Sequence, residues 1–337
     1  AEPSAVGGLM RDTGPPLPLS AYDRILVALS GGKDSVASLL ALLEAGANPA
    51  RIELHHHEVY GRGPSFMDWP SSAPYCRALA DSFGLPIYFS WREGGFLREM
   101  LRQDAATAPI VFETPHGLET RGGGGPRNTR LRFPQVSADL SVRWCSAALK
   151  IGVMDTLIRA QERFLGSRTL VVTGERAEES PTRARYAAAE RHRTDTRDGT
   201  RRCRYVDQWR PVHAWREGAV WGILGRHGVV PALPYQLGFG RLSCMTCIFG
   251  TPSLWATIRL IARAWFERVA GYEQRFGCTI QRTRSVRDLA DRGTPYPAAL
   301  AQPGLVAQAL APRWRGPIRT ADWRMPAGAF GEAAGPA

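Results

Sequence analysis

The stretch "ILVALSGGKDSVASLLALLEAG" (residues 25–46) decides the fold class. The apolar run "RILVAL" (24–29) is typical of a buried strand, and residues 35–45 have the spacing of a helix that ends at Gly46. Glycines and serines fill the turn between the two elements. In such a turn the unpaired amides and the dipole at the helix start favour an anion, and glycines let the backbone approach it closely. We therefore predict a phosphate-binding turn.

Further strands and helices alternate along the chain. Apolar strand patterns appear at "RIELHHHEV" (51–59), "LPIYFSW" (85–91) and "RTLVVTGE" (168–175), and a helix pattern covers 72–83. Strands and helices at such short intervals predict an α/β, Rossmann-like fold with a parallel sheet and helices on both faces. A smaller, mainly helical C-terminal part is expected after the sheet, including one long helix over 252–276.

Composition divides the chain into four parts. Both ends are rich in proline, glycine and alanine, which is typical of poorly ordered tails. We expect a disordered tail at 1–20 and a nucleotide-binding α/β domain at 21–215. A mainly helical region at 216–311 and a flexible tail at 312–337 should follow.

The charge balance indicates a polyanionic partner. The chain has 43 basic and 31 acidic residues, a net charge of +12, and only two of the basic residues are lysines, Lys33 and Lys150. Such an excess favours nucleic acid over an acidic metabolite. No apolar run reaches the ~20 residues of a membrane helix and no signal-peptide pattern is seen, so we expect a cytoplasmic protein with no membrane partner. Six cysteines then indicate thiols, metal ligands or redox groups.

The turn sequence "SGGKDS" (30–35) resembles the PP-loop of the ATP pyrophosphatases, which split ATP between its α and β phosphates to adenylate a substrate. The resemblance implies ATP and Mg²⁺ as cofactors. It places the pyrophosphate on the turn, a compact positive charge beside it, magnesium at an acidic residue and adenosine beside the next strand. The residues implied are Ser30, Gly31, Gly32 and Ser35 for pyrophosphate, Lys33 for the charge, Asp34 for magnesium and His55 for adenosine.

Two later segments resemble the branch of that family that contains the phosphoadenosine phosphosulfate (PAPS) reductases and sulfate adenylyltransferases. They are "RWCSAALK" (143–150) and "VVTGERAEESPTRAR" (171–185), and "WRPVHAWREGAVWGILG" at 209–225 has a similar likeness. The resemblance implies catalytic roles for Cys145 and Lys150. It also implies nucleotide contacts from Gly174, Arg176, Glu179 and Arg183, whose arginines suit phosphate as bidentate donors.

A C-x-x-C pair lies in "GFGRLSCMTCIFG" (238–250). Together with Cys145, the cysteines Cys244 and Cys247 suit a tetrahedral metal, an iron–sulfur cluster or a sulfur relay, and the sequence leaves these open. PAPS reductases use a cysteine near the C terminus to attack the sulfonate, but no cysteine follows Cys278. Reduction of a sulfonucleotide is therefore disfavoured.

An adenylating loop beside a C-x-x-C pair suggests sulfur transfer. The combination resembles the ATP pyrophosphatases of DNA phosphorothioation, the DndC and SspD proteins, and fits the SspD type better. This resemblance implies a bacterial defence enzyme that adenylates a DNA backbone phosphate, with DNA, a cysteine desulfurase and other phosphorothioation proteins as partners. Residues 183–204, with eight arginines against three acids, are expected either to track a phosphate backbone or to form a solvated loop.

Three other functions stay open. A tRNA thiolase would share the loop and the positive charge, and a sulfonucleotide or sulfate-activating enzyme would share the Cys145–Lys150 segment. A non-catalytic nucleotide sensor or DNA-binding module would be expected to carry a damaged glycine turn, whereas this turn is intact.

Overall fold

The computed structural model describes residues 14–63, 65–242 and 244–331. Within these ranges, one sheet of eight strands has the order β5-β4-β3-β2-β1-β6-β8-β7. The strands are β1 (Arg24–Ala28), β2 (Ile52–His57), β3 (Ile87–Arg92), β4 (Ile110–Thr114), β5 (Gly117–Arg121), β6 (Arg168–Val172), β7 (Ala189–Arg191) and β8 (Tyr205–Trp209).

Thirteen α-helical segments lie in the same ranges. They are α1 (Lys33–Glu44), α2 (Ser72–Phe83), α3 (Gly95–Met100), α4 (Trp144–Ser146), α5 (Gly152–Ala160), α6 (Pro181–Ala184), α7 (Glu217–Arg226), α8 (Leu233–Gln236), α9 (Pro252–Ile261), α10 (Arg263–Phe276), α11 (Val286–Arg292), α12 (Pro297–Ala301) and α13 (Pro303–Ala309). A π-helical turn, Ala147–Ile151, joins α4 to α5. Among the described helices, none combines the length and the apolar character that a membrane crossing needs.

Strand β1 lies near the middle of the sheet and pairs in parallel with β2 on one side and β6 on the other. Strands β3 and β8 extend the parallel pairing outward, and β4, β5 and β7 add antiparallel edges. The chain first leaves β1 toward β2 and later returns on the opposite side at β6. Such a reversal opens a crevice at the carboxyl ends of the strands, and the predicted phosphate-binding turn follows β1 there.

Helices cover both faces of the sheet. On one face α1, α2 and α7 pack in a core with Val27 and Leu54, and on the other α5 packs against Leu26 and Val171. Neighbouring strand residues such as Leu26 and Val27 point to opposite faces because side chains alternate along a strand. This arrangement confirms the predicted α/β, Rossmann-like fold class.

The C-terminal helices surround a second apolar core, in which Trp255 and Phe266 are fully buried. Phe66 and Trp144, from the first half of the chain, belong to this same core. Helix α7, which falls inside the predicted helical region 216–311, packs instead with α1 on the sheet. The helical part therefore shares its core with the α/β part.

The single helix predicted over 252–276 is wrong, because the structure has two helices there. Ala262, between α9 and α10, has φ −139° and ψ 51°, outside the helical region. Apolar residues continue across the break, since Ile258 and Phe266 are buried on either side of it. The apolar spacing thus carried no signal of the interruption.

Most of the predicted C-terminal tail packs against the α/β part. Ile318 is buried, its carbonyl accepts from the amide of Val230 (2.8 Å), and the amide of Thr320 donates to the carbonyl of Gly228 (2.8 Å). Residues 312–331 therefore differ from the flexible tail that the sequence predicted. Residues 332–337, like residues 1–13 of the predicted N-terminal tail, lie outside the described ranges.

Candidate active site

The predicted phosphate-binding turn folds around the hydroxyl of Ser35. That oxygen accepts from the amide of Ser30 (3.2 Å) and donates to the carbonyl of Gly32 (2.9 Å). Gly31 has φ +80°, and a Cβ there would lie 3.1 Å from the side chains of Tyr75 and Cys76. Glycine is therefore required at Gly31 both by the backbone conformation and by the close packing of α2.

Lys33, the first residue of α1, is almost fully buried, with its ammonium inside the protein. The ammonium donates to the carbonyl of Gly240 (3.1 Å) and lies 3.6 Å from Glu217 Oε1 and 4.0 Å from Asp34 Oδ2. Burial alone would lower the pKa of Lys33, but Tyr235, Asp34 and Glu217 outweigh it, so the pKa is raised. The lysine is therefore charged and held beside the turn.

The second predicted signature lies directly beside the turn. Gly174 follows β6, and a Cβ on it would lie 2.8 Å from the carbonyl carbon and oxygen of Asp34. No side chain fits in that space without moving the backbone of α1. The match of Gly174 to the resembled motif therefore has a physical reason, the close approach of β6 to the start of α1.

Carboxylates engage both arginines of this signature. Arg176 is buried and donates from Nε to Asp34 Oδ1 (2.5 Å) and from Nη1 to Glu178 Oε2 (2.5 Å). Glu179 accepts from the amide of Arg176 (2.9 Å) and also pairs with Arg183. Burial raises the pKa of Asp34, although Lys33 and Arg176 oppose it. Five predicted site residues thus form one ionic network at the turn.

His55, predicted to line the adenosine pocket, lies on the α5 face of the sheet. Its Nε2 is 3.5 Å from Glu53 Oε2, and Arg163 donates to the same carboxylate at 2.6 Å. Burial alone would raise the pKa of Glu53, but the hydrogen bonds from His55 and Arg163 lower it to about 2. The adenosine assignment of His55 stays a prediction.

Sequence reasoning missed His56 and Asp68. His56 Nδ1 lies 2.9 Å from the carbonyl of Leu29, and its Nε2 is buried and has no hydrogen-bond partner among the described residues. Burial lowers the pKa of His56, while the nearby Asp68 opposes the shift, and burial raises the pKa of Asp68. The run of three histidines could have indicated His56, but Asp68 lies in a loop that carries no motif.

The three predicted cysteines come together near Lys150. Burial raises the pKa of Cys145 and, more strongly, of Cys244. Cys247 lies close enough to raise both further, whereas Lys150 is close enough to lower both. Lys150 itself is exposed and lies in the π-helical turn, a feature frequent at functional sites. The structure therefore brings the predicted thiols and the second lysine into one cluster.

This cluster does not fit a metal centre. Among the described residues, no three His, Cys, Asp or Glu side chains are grouped so that they could hold a metal ion. An iron–sulfur cluster would need at least three cysteine thiolates converging on one point. The residues as placed therefore favour thiol chemistry at these cysteines.

Comparison with known proteins identifies the family. Residues 135–249 match the model of the phosphoadenosine phosphosulfate reductase domain, a range that holds Cys145, Lys150 and the C-x-x-C pair. The chain is also 31% identical over 263 residues to the 37.8 kDa protein in the gpa 5′ region of Escherichia phage 186, covering 73% of this chain and 72% of that protein. The chain belongs to the PAPS reductase-like family. In this PAPS reductase-like protein, the glycine turn at 30–35 precedes the matched domain.

Two solved structures resemble the PAPS reductase-like chain weakly. The FMN adenylyltransferase of Candida glabrata, in complex with FMN and an ATP analogue, has a TM-score of 0.36 and 12% identity, covering 67% of this chain and 56% of that one. The PAPS reductase of Candida auris, in a phosphate complex, has a TM-score of 0.37 and 12% identity, covering 68% and 85%.

Proposed function

We propose that the chain is an ATP pyrophosphatase and sulfurtransferase, which adenylates a DNA backbone phosphate and replaces one of its oxygens with sulfur. One observation carries this proposal. The intact glycine turn holds a buried, charged Lys33, and the segment that contacts this lysine through Gly240 leads within four residues to Cys244. This contact supports a single site that contains both the turn and the thiols.

ATP binding would use the turn and the network around it. The amides of Gly31 and Gly32 and the amino end of α1 suit the pyrophosphate portion, with Lys33 as the added charge. Mg²⁺ bound to the ATP phosphates would take a carboxylate oxygen of Asp34. In the structure Lys33 contacts Gly240 and Asp34 contacts Arg176, so nucleotide binding must exchange these contacts for phosphate contacts.

The adenylation step needs no residue to act as a nucleophile. A non-bridging oxygen of the DNA phosphate attacks the α-phosphorus of ATP, the bond to the bridging oxygen breaks, and pyrophosphate leaves. Negative charge grows on the leaving pyrophosphate. Lys33 and the amides of the turn are preorganised to stabilise that charge, which is where electrostatic catalysis gains most.

The sulfur step uses two thiols. A cysteine desulfurase places sulfur on one of Cys145, Cys244 or Cys247 as a persulfide, and the terminal sulfur displaces AMP from the adenylated phosphate. A neighbouring thiol then attacks the mixed disulfide, which releases the thiophosphate and leaves a protein disulfide. An external thiol must reduce this disulfide before the next turnover. The closeness of the three cysteines supports this division of roles.

A second candidate is chemistry on a sulfonucleotide, which the match of residues 135–249 to the PAPS reductase domain favours. Incubation with PAPS and a thiol reductant separates the two candidates. Release of sulfite would favour this second function, whereas formation of AMP and pyrophosphate from ATP favours the first.

Turnover of ATP tests the loop assignment. Wild-type protein and Lys33→Ala are incubated with ATP, Mg²⁺ and duplex DNA, and AMP and pyrophosphate are measured. We expect Lys33→Ala to lower the rate by about 100-fold or more, as for loss of one group that stabilises transition-state charge. The control is Arg201→Ala, an exposed residue in the loop before β8, which should turn over at the wild-type rate. A Lys33→Ala protein with the wild-type rate would refute the assignment.

The acceptor is tested in cells. DNA and tRNA are isolated from cells with and without the gene and digested to nucleosides and dinucleotides for mass spectrometry. Phosphorothioate linkages that depend on the gene support DNA as the acceptor, and sulfur-modified tRNA nucleosides would select a tRNA thiolase instead.

A further inference from the structure

Most arginine side chains of the segment 183–204 contact other groups of the same chain. Five of its eight arginines have partners in the structure, either carboxylates or a backbone carbonyl. The pairs are Arg183 with Glu179, Arg191 with Asp198, Arg193 with Asp155, Arg197 with Asp207, and Arg204 with the carbonyl of Arg159. Four of the eight arginines therefore pair with acids of the same chain.

The last part of this segment is separate from the site, although Arg183, its first residue, pairs with Glu179 beside the turn. Its last part, 196–204, leads into Tyr205, the first residue of β8, which pairs with Arg168, the first residue of β6. These residues lie at the amino ends of the parallel strands, whereas the phosphate-binding turn lies at the carboxyl ends. Arg201 and Arg202 are exposed here, so they lie near the amino ends of the parallel strands, away from the thiols.

A different group of arginines surrounds the C-x-x-C turn. Gln281 donates to the carbonyls of Ile248 (3.1 Å) and Gly250 (2.8 Å), which ties the turn 281–284 to the residues just after Cys247. Arg282 and Arg284 in that turn are exposed, and among the described residues no carboxylate lies within ion-pair distance of either. Their nearest acid in sequence, Asp288, already accepts from the hydroxyl of Ser285 (2.7 Å).

Arg143 lies beside the same turn, and two further exposed arginines lie on segments that contact each other. The guanidinium of Arg143 lies 6.0 Å from the ring centroid of Phe249, and its Nε and Nη1 are buried with no hydrogen-bond partner among the described residues. The rings of Phe133 and Phe276 pack at 5.8 Å and so join two further chain segments. Their neighbours, Arg132 and Arg275, are exposed. We call the five arginines the basic rim: Arg132, Arg143, Arg275, Arg282 and Arg284.

We propose that the basic rim binds the phosphodiester backbone of the nucleic-acid acceptor and presents it to Cys244 and Cys247. This inference rests on the proposed function and locates its acceptor surface. Guanidinium groups with unused donors suit phosphate oxygens, and a row of them is the usual means of backbone binding without base readout. Arg143, Arg282 and Arg284 of the rim lie on segments that contact the residues just after Cys247, whereas residues 196–204 lead into the amino ends of the parallel strands.

Binding measurements with paired variants test the rim. The affinity for fluorescein-labelled duplex DNA and for tRNA is measured by anisotropy at several salt concentrations. The test variant is Arg282→Ala/Arg284→Ala, and the matched control is Arg201→Ala/Arg202→Ala, which removes the same charge at the opposite edge. Loss of two phosphate contacts should weaken binding by about tenfold or more and reduce the slope of log affinity against log salt by about 2. The control should change neither quantity.

The outcomes separate this inference from the proposed function. If the control pair weakens binding as much as the rim pair, or the rim pair binds like wild type, the rim is refuted while ATP turnover still supports the proposed function. Tighter binding of tRNA than of DNA, lost in the rim pair, would keep the rim and replace DNA as the acceptor. Wild-type protein that binds neither nucleic acid would refute both. Arg275→Ala, at the end of a helix, repeats the test if the double variant unfolds.

Discussion

The ammonium of Lys33 hydrogen-bonds to the carbonyl of Gly240, 207 positions later in the chain, at 3.1 Å. This bond joins the predicted phosphate-binding turn to the segment that carries the C-x-x-C cysteines. The side chain of Leu242, from the same segment, would lie 3.3 Å from a Cβ at Gly31. If the turn moves when nucleotide binds, the segment that ends at Cys244 must therefore shift or lose these contacts.

Removal of the hydroxyl of Tyr235 should make the stability of the folded protein depend more strongly on bound nucleotide. This hydroxyl accepts from the amide of Lys33 (3.0 Å). Tyr235→Phe keeps the packing against Trp221 but leaves the buried amide without an acceptor, which costs about 1–3 kcal/mol of unfolding free energy. Because an ATP phosphate can accept from that amide, ATP should raise the melting temperature of Tyr235→Phe more than that of wild type.

The control for this variant is Tyr22→Phe. Tyr22 donates to Asp207 Oδ2 (2.8 Å) at the opposite edge of the sheet, so its loss should lower stability without changing the effect of ATP. Equal ATP-induced shifts in Tyr235→Phe and wild type would contradict the prediction.

Alanine at Gly174 should destabilise the protein by about 1–3 kcal/mol, because its Cβ would overlap the backbone of Asp34. The same displacement of α1 should reduce ATP turnover. Gly271, inside α10, has open space around it, so Gly271→Ala should instead stabilise the protein by about 0.4–1 kcal/mol. Urea unfolding of both variants measures the two effects, and the same sign for both would refute the steric argument.

His192 should make stability fall in acid. Burial, followed by Arg193, Arg159 and Arg210, lowers the pKa of His192 to about 3. In the unfolded chain a histidine titrates near pH 6.5. Below about pH 6.5 the unfolded state therefore binds a proton at this position, whereas His192 in the folded state stays neutral. This group then removes about 1.4 kcal/mol of unfolding free energy for each pH unit.

Urea unfolding between pH about 7 and about 5 checks this dependence. His192→Gln should have a shallower pH dependence than wild type, and replacement of the exposed His116 by Gln should leave the dependence unchanged. Other buried histidines with a lowered pKa, such as His56, will contribute part of the pH dependence of the unfolding free energy in both variants. An unchanged slope in His192→Gln would show that His192 is charged in the folded protein.

The six thiols should differ in reactivity. Cys203 and Cys278 are exposed, whereas burial raises the pKa of Cys145 and Cys244. Since the thiolate is the reactive form, iodoacetamide at pH about 8 should alkylate the two exposed cysteines first. Peptide mapping by mass spectrometry at successive times measures the order. Faster labelling of Cys244 than of Cys203 would contradict the burial argument.

Local sequence signals were enough for several elements. The predicted helix 72–83 is α2 (Ser72–Phe83), and Gly84 ends it with a φ of 62°, as expected of a left-handed stop. Strand β5 (Gly117–Arg121) had no such signal. Its residues are mostly exposed at the sheet edge, so no apolar alternation marks them.

The sequence predicts residues of the candidate site but not the contacts that they make. The turn 30–35 and the signature around Gly174 were predicted from their resemblance to known motifs, and the structure shows that the buried strands before them, β1 and β6, are neighbours. The partners of Lys33 and of the arginines in 183–204 are set by folding over long distances in the chain. Charge counting alone therefore could not distinguish arginines that pair internally from those at the basic rim.

The last described residues bear on how the protein can be handled. The amide of Gly328 donates to the carbonyl of Tyr235 (2.8 Å), and that of Phe330 donates to Glu217 Oε1 (3.2 Å), the same oxygen that lies 3.6 Å from the ammonium of Lys33. A chain shortened before Gly328 would thus leave the Glu217 carboxylate beside Lys33 with one donor fewer. Shortened variants should therefore keep Gly328 and Phe330.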